Sequence, residues 1–205
     1  MTDEKLIRKC SPTLAGLKTG NLFNSFYSSR SEMEQDIREY NRRLSDRGVR
    51  MVPMLYDEAL GRALIYVFRP SKLEKDLEDN TAKNILSQYG YGTENAKRCI
   101  ARLAHRIIET EGFPHEIGLF LGYPSDDVKG FIDEKNCENC PNNHTSKCSC
   151  NCSSCKLVGY WKVYGDTQSA TKKFRQFSKC TEVYLKQFAL GSTVEKLTVR
   201  APKAQ

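Results

Sequence analysis

Six of the nine cysteines fall within nineteen residues: Cys137, Cys140, Cys148, Cys150, Cys152 and Cys155. His144 lies among them. Closely spaced thiolates hold a soft metal or react with one another. Zinc takes four thiolate or imidazole ligands in a tetrahedron. The pairs Cys137-x-x-Cys140 and Cys152-x-x-Cys155 have the spacing that lets a tight turn present two sulfurs to one ion. Cys148 and Cys150 stand as alternative ligands or as a second partial site. Six thiolates exceed what one zinc needs. The alternatives are a structural zinc with spare thiols, a two-metal thiolate cluster, an iron–sulfur centre, or thiols without metal. The spacing matches neither ferredoxin pattern, so zinc is the cofactor expected and an iron–sulfur cluster is the lesser alternative.

A second constellation is Cys10 with His115 and Glu116. A thiol nucleophile needs a base and an orienting group close in space. Along an extended chain the side chains of His115 and Glu116 point to opposite faces. Glu116 is then a poor orienter for His115, and Asp126 or Asp127 is the substitute. The alternative is that Cys10 packs in the core and His115 serves a loop. Cys99 and Cys180 flank apolar helix faces and read as small buried side chains. Tyr160, Trp161 and Tyr164 read as core aromatics rather than a stacking platform for bases.

A chain of 205 residues with 28 % charged and 39 % hydrophobic residues fits a globular protein, not a disordered or membrane-spanning one. No apolar run reaches the length of a membrane span, and the first eighteen residues do not resemble a signal peptide. The cytoplasm is therefore the expected compartment, where thiols stay reduced and metal ligation is favoured over disulfides. The net charge of +7 is uneven. Residues 156–205 hold ten basic and three acidic residues, while the first 155 residues balance. Lys172, Lys173, Arg175, Lys179 and Lys186 form a basic stretch that would suit nucleic acid or an acidic partner. A solvated helix face is the simpler reading.

The elements that must position these groups follow from periodicity and punctuation. Residues 1–20, with Pro12, Gly16 and Gly20, read as irregular, and 21–27 as a short strand. Ser31-x-x-Glu34 is a capping box, and Met33, Ile37, Tyr40 and Leu44 make one helix face. Residues 49–56 and 62–69 read as a β-hairpin, the second strand apolar on both faces and so central. Helices are expected over 71–79, 81–88 and from Thr93 to Glu111, with His105 on the solvent side. Residues 117–121 read as a strand, a short helix ends at Ile132, and 158–164 read as another strand. Asp166 caps a long helix, and 193–199 read as a last strand. These elements predict an α/β (or α+β) fold: a mixed sheet with flanking helices in one domain spanning 1–205. The cysteine-rich segment 135–156 is an inserted loop within it.

Several strings together resemble the DUF3793 family, uncharacterised bacterial proteins found mainly in Firmicutes. They are Cys10-Ser-Pro-Thr-Leu-Ala-Gly-Leu-Lys18 with Asn21-Leu-Phe23, and Phe113-Pro-His-Glu-Ile-Gly-Leu-Phe-Leu-Gly-Tyr-Pro124. Gly159-Tyr-Trp-Lys-Val-Tyr164 and the helix bearing Ala170, Phe174, Cys180 and Tyr184 complete the resemblance. It implies no activity, but it draws attention to Cys10, His115 and Glu116. It also implies a shorter link between Ile132 and Gly159, which makes the cysteine segment an insertion. Taken together, the expectation is a binding or regulatory module with a zinc loop. The alternatives are a thiol-dependent enzyme using Cys10 and His115, or a binder of acidic partners.

Overall fold

The computed structural model describes residues 1–92, 95–110, 112–138 and 154–201. The centre is a three-stranded sheet of order β1-β3-β2, with β1 at Gly20–Phe26, β2 at Arg50–Asp57 and β3 at Arg62–Phe68. Both pairings are antiparallel, with Leu22 opposite Tyr66 and Met51 opposite Val67. The expected mixed sheet is thus antiparallel throughout the described residues. A bulge between Pro53 and Leu55 breaks the β2 register. Proline has no N–H to donate, so an edge strand is where it can sit.

Alternation along β3 feeds two cores. Leu64, Tyr66 and Phe68 face one, and Ala63, Ile65 and Val67 face the other. The first is closed by α3 (Pro70–Leu77), α4 (Asn80–Gln88), α5 (Ala96–Glu109), α6 (Ile117–Phe120) and α7 (Ser125–Glu138). The second is closed by α1 (Asp3–Leu14) and α2 (Arg30–Leu44), with the C-terminal part of α8 (Thr167–Ala189) and α9 (Val194–Leu197). A β4–β5 hairpin (Leu157–Val158, Lys162–Val163) lies against α7 and α8 and forms a small third core.

Several expectations need correction. Residues 3–14 are helical rather than irregular. Pro12 lies near the C-terminal end of α1, where its missing N–H removes one helix bond only. Ser29, not Ser31, caps α2, its hydroxyl accepting from Glu32 N at 3.2 Å. Asn95 rather than Thr93 caps α5. Residues 117–120 are a buried helical turn, not a strand. A short apolar run has no period to separate the two, and here Pro114 and Glu116 carbonyls receive the first N–H groups. Residues 158–164 are a hairpin rather than one strand, and 194–197 are helical with Thr193 as cap. Most of the cysteine-rich segment lies outside the described residues.

The end of α1 is fixed by Arg69, which is 3 % exposed. Its guanidinium donates to the carbonyls of Thr13 (2.6 Å), Leu14 (2.6 Å), Val199 (2.7 Å) and Arg47 (3.2 Å). Four carbonyls, two from a helix C-terminus, replace a carboxylate partner. Beyond α1 the chain reverses at Gly16 (φ 74°), and Pro12 O accepts from both Leu17 N and Lys18 N. That turn sends Lys18 and Thr19 into the interior ahead of β1.

Candidate functional site

Among the described residues no hydrogen bond joins Cys10 to His115 or Glu116. Cys10 is fully buried in α1, in the core on one face of the sheet. Burial raises its thiol far above the usual range, and the nearby Lys18 and Lys9 charges only partly oppose this. A nucleophilic cysteine needs the reverse shift. His115 is exposed and belongs to the other face, packed edge-on against Phe131 of α7 at 5.1 Å. Glu116 turns inward and is fully buried. Its Oε1 accepts from Arg106 Nε at 2.9 Å and Tyr91 Oη at 3.0 Å. Its Oε2 is buried and finds no hydrogen-bond partner among the described residues. Glu116 thus anchors α6 to α5 and does not orient His115.

Asp127 is also committed elsewhere. It is 4 % exposed and accepts from Trp161 Nε1 (2.7 Å), Tyr164 N (2.8 Å) and Gly165 N (2.8 Å). One carboxylate therefore pins the β4–β5 hairpin to the first turn of α7. Gly130 permits the close approach: a Cβ there would lie 2.4 Å from Tyr164 Cγ.

This docking creates a half-open pocket of about 200 Å³. Tyr123, Phe131 and Trp161 wall it, Gly118 and Val128 line it, and His115 and Lys162 are among its polar side chains. Trp161 is buried, stacked on Tyr123 at 5.0 Å and edge-on to Phe174 at 4.5 Å. Its core role was legible in the sequence; its place in a pocket wall was not. Lys162 Nζ lies 2.8 Å from Glu134 Oε2 and 5.5 Å from the Phe131 ring centroid. Lys135 stands 6.0 Å from the same ring. Glu134 also accepts from the Tyr164 hydroxyl, and these bonds hold its carboxyl below the usual range.

Sequence reasoning missed Lys18. The residue is 5 % exposed, and its Nζ sits 5.2 Å from the Tyr123 ring centroid. Among the described residues no oxygen accepts a hydrogen bond from it and no carboxylate pairs with it. Burial pushes its amine down to about 8, while the nearby Cys10 acts in the opposite sense. No local signal marks a lysine for burial. The position follows from the α1 turn that Arg69 and Gly16 impose.

Of the cysteine cluster, Cys140, Cys148, Cys150 and Cys152, with His144, lie outside the described residues. Cys137 belongs to the last turn of α7. Cys155 is half-buried, its Sγ 3.4 Å from Leu157 O. No group of three or more His, Cys, Asp or Glu able to hold a metal occurs among the described residues. Cys99 is buried with its Sγ 3.3 Å from Gly92 O, and burial raises the Cys180 thiol to about 11. His105 and the basic residues Lys172, Lys173, Arg175, Lys179 and Lys186 are exposed, and Lys179 pairs with Glu182. No helix of the described residues is long and apolar enough to cross a membrane.

A family model described as a protein of unknown function, DUF3793, matches residues 6–144 and 147–198. The matched stretches take in the α1 turn, the pocket walls and, apart from residues 145–146, the cysteine segment. No curated protein and no solved structure matches the chain.

Proposed function

From the premise that the chain belongs to the DUF3793 family, whose description gives no activity, we propose that it is a binding module for a small planar molecule. The observation that carries this is the pocket of about 200 Å³ walled by Tyr123, Phe131 and Trp161. An apolar cavity of about 150 Å³ is enough for benzene, so one ring with a short substituent fits. Mostly apolar walls with a few polar groups are the usual make-up of small-molecule sites. Charge narrows the class. Lys162 and Lys135 lie near the Phe131 ring and Lys18 near the Tyr123 ring. A cationic ligand would meet cations already at these rings, so the module takes neutral or anionic ligands.

Trp161 is the only tryptophan of the chain, so its emission reports on this pocket alone. Benzoate, benzamide and benzyltrimethylammonium would be titrated in turn with emission recorded. A ligand of this size is held at roughly millimolar strength. Saturable changes with benzoate or benzamide, weakened by Phe131→Ala, support the reading. Equal, unsaturable responses to all three probes would sink it.

The cysteine segment supports a second reading, that the module carries zinc held by four of Cys137, Cys140, Cys148, Cys150, Cys152 and Cys155. Its support is the ligand spacing alone, and its role is structural: order supplied by metal to a polar segment. Elemental analysis of protein purified anaerobically, with a thiol count on the same sample, decides it. About one zinc per chain, with roughly four of the six cluster thiols protected, is the expected outcome. Metal-free protein with all six cluster thiols reactive would remove this reading.

A further inference from the structure

We propose that the outer edge of β1 pairs with the same strand of a second copy of this chain, joining the two sheets about a two-fold axis. The inference does not rest on the pocket reading. The two edges of the sheet are unlike. On β2 the Asn41 side chain donates to Met51 O and accepts from Met51 N, both at 2.8 Å, and so takes up the outward backbone groups there. The next outward position is Pro53, which has no N–H, and the bulge follows it. β1 has no such guard among the described residues. Thr19 O accepts from Arg69 N and Tyr27 N donates to Gly61 O, so the odd-numbered residues of β1 bond to β3. The N–H and C=O groups of Leu22, Asn24 and Phe26 therefore point away from the sheet. Among the described residues no hydrogen bond satisfies them.

The pattern of the strand selects a second copy as the occupant. An antiparallel pair with its two-fold axis at Asn24 sets Asn24 against Asn24, and Leu22 against Phe26 of the second copy on both sides of the axis. Each of these pairs exchanges two backbone hydrogen bonds. The three side chains share one face of the strand. Phe26 is 71 % exposed and gains cover from the half-buried Leu22 across the pair. A residue on the axis meets itself, so it must match itself. Asparagine does so, because its amide carries both donor and acceptor, and Gly20–Phe26 holds no charged residue to oppose the pairing. Beyond Asn24 the same face continues into a cavity of about 310 Å³ lined by Leu64, Ile107 and the exposed Phe113, so apolar surface reaches inward from the edge.

The test is sedimentation velocity of the full chain, kept reduced so that cysteines do not crosslink it. Concentrations run from ~1 to ~200 µM, because an interface built on one strand pair lies at the small, weakly held end of the range. A monomer–dimer equilibrium is expected within that span. Asn24→Lys and Asn24→Glu each set like charges against one another at the axis, and each alone should weaken dimerisation by roughly tenfold or more. Mixing the two variants in equal amounts sets Lys against Glu and should restore the dimer. Asn24 is exposed, so both variants should keep the fold, checked by circular dichroism and Trp161 emission. A chain that stays monomeric to the highest concentration overturns the proposal. A dimer that neither substitution weakens also overturns it, because its interface then lies elsewhere. A mixture no tighter than the separate variants overturns the register about Asn24.

Discussion

Replacing Lys18 with Met should stabilise the protein, and by an amount that depends on pH. The amine titrates at about 8 in the folded chain against an ordinary 10.5. At ~1.4 kcal/mol per unit the folded state bears a cost of ~3 kcal/mol when Lys18 is charged. Below pH 8 both folded and unfolded states hold the proton and the whole cost is felt. Between 8 and 10.5 the unfolded chain binds more protons, so this residue's contribution to stability rises with pH. Above 10.5 the cost is gone. Methionine keeps much of the side-chain volume and never bears a charge, but it forfeits the cation–π contact, worth ~0.5–2 kcal/mol. The net gain for Lys18→Met is therefore about 1–2 kcal/mol at pH 7, and it should shrink by ~2.5 kcal/mol on going to pH 10. Urea unfolding of both proteins at pH 7, 8.5 and 10 measures this. Groups that titrate identically in the two proteins, such as the buried tyrosines, cancel in the difference. A difference that stays constant across that range would refute the reasoning, because it would mean that the folded amine titrates like an exposed one.

Three further perturbations test the frame around the pocket. Asp127→Asn retains an oxygen for Tyr164 N and Gly165 N but turns an NH₂ toward Trp161 Nε1–H. It should cost ~2–4 kcal/mol and shift Trp161 emission to the red, read by fluorescence-monitored unfolding. Arg69→Lys cannot reach four carbonyls with one ammonium. It should cost ~2–4 kcal/mol and speed hydrogen exchange at Val199 N–H, which donates to Leu14 O at 3.0 Å. Gly130→Ala drives a methyl against the Tyr164 ring and should cost ~1–3 kcal/mol, whereas Gly92→Ala, with open space around it, should stay within ~0.5 kcal/mol; thermal unfolding of the two variants gives the comparison.

The sequence made some of these elements plain and hid others for physical reasons. Met33, Ile37, Tyr40 and Leu44 are all buried, because a helical period on a long element leaves few alternatives. Residues 64–68 run apolar on both faces, and only the central strand of a covered sheet needs that. The helix at 117–120 was hidden because a buried run of four has no polar side to set a period. The pocket was hidden for a different reason. Tyr123, Phe131 and Trp161 meet because one carboxylate on α7 captures a hairpin 34 residues away, through Trp161 Nε1. Nothing in the local pattern of either segment announces that bond.

The buried cations sharpen the point. Arg69 and Lys18 both lie at the end of α1, and both are nearly inaccessible. A guanidinium with five donors in a planar fork can satisfy several carbonyls at once. Its burial is explained by the α1 terminus and the segment through Val199 that it ties together. The Lys18 ammonium ties nothing comparable. Stability alone would favour an apolar residue there, since methionine or leucine would pack without the cost of desolvation. The two cations at this helix end thus differ in what holds them: Arg69 has four carbonyls and Lys18 has the Tyr123 ring.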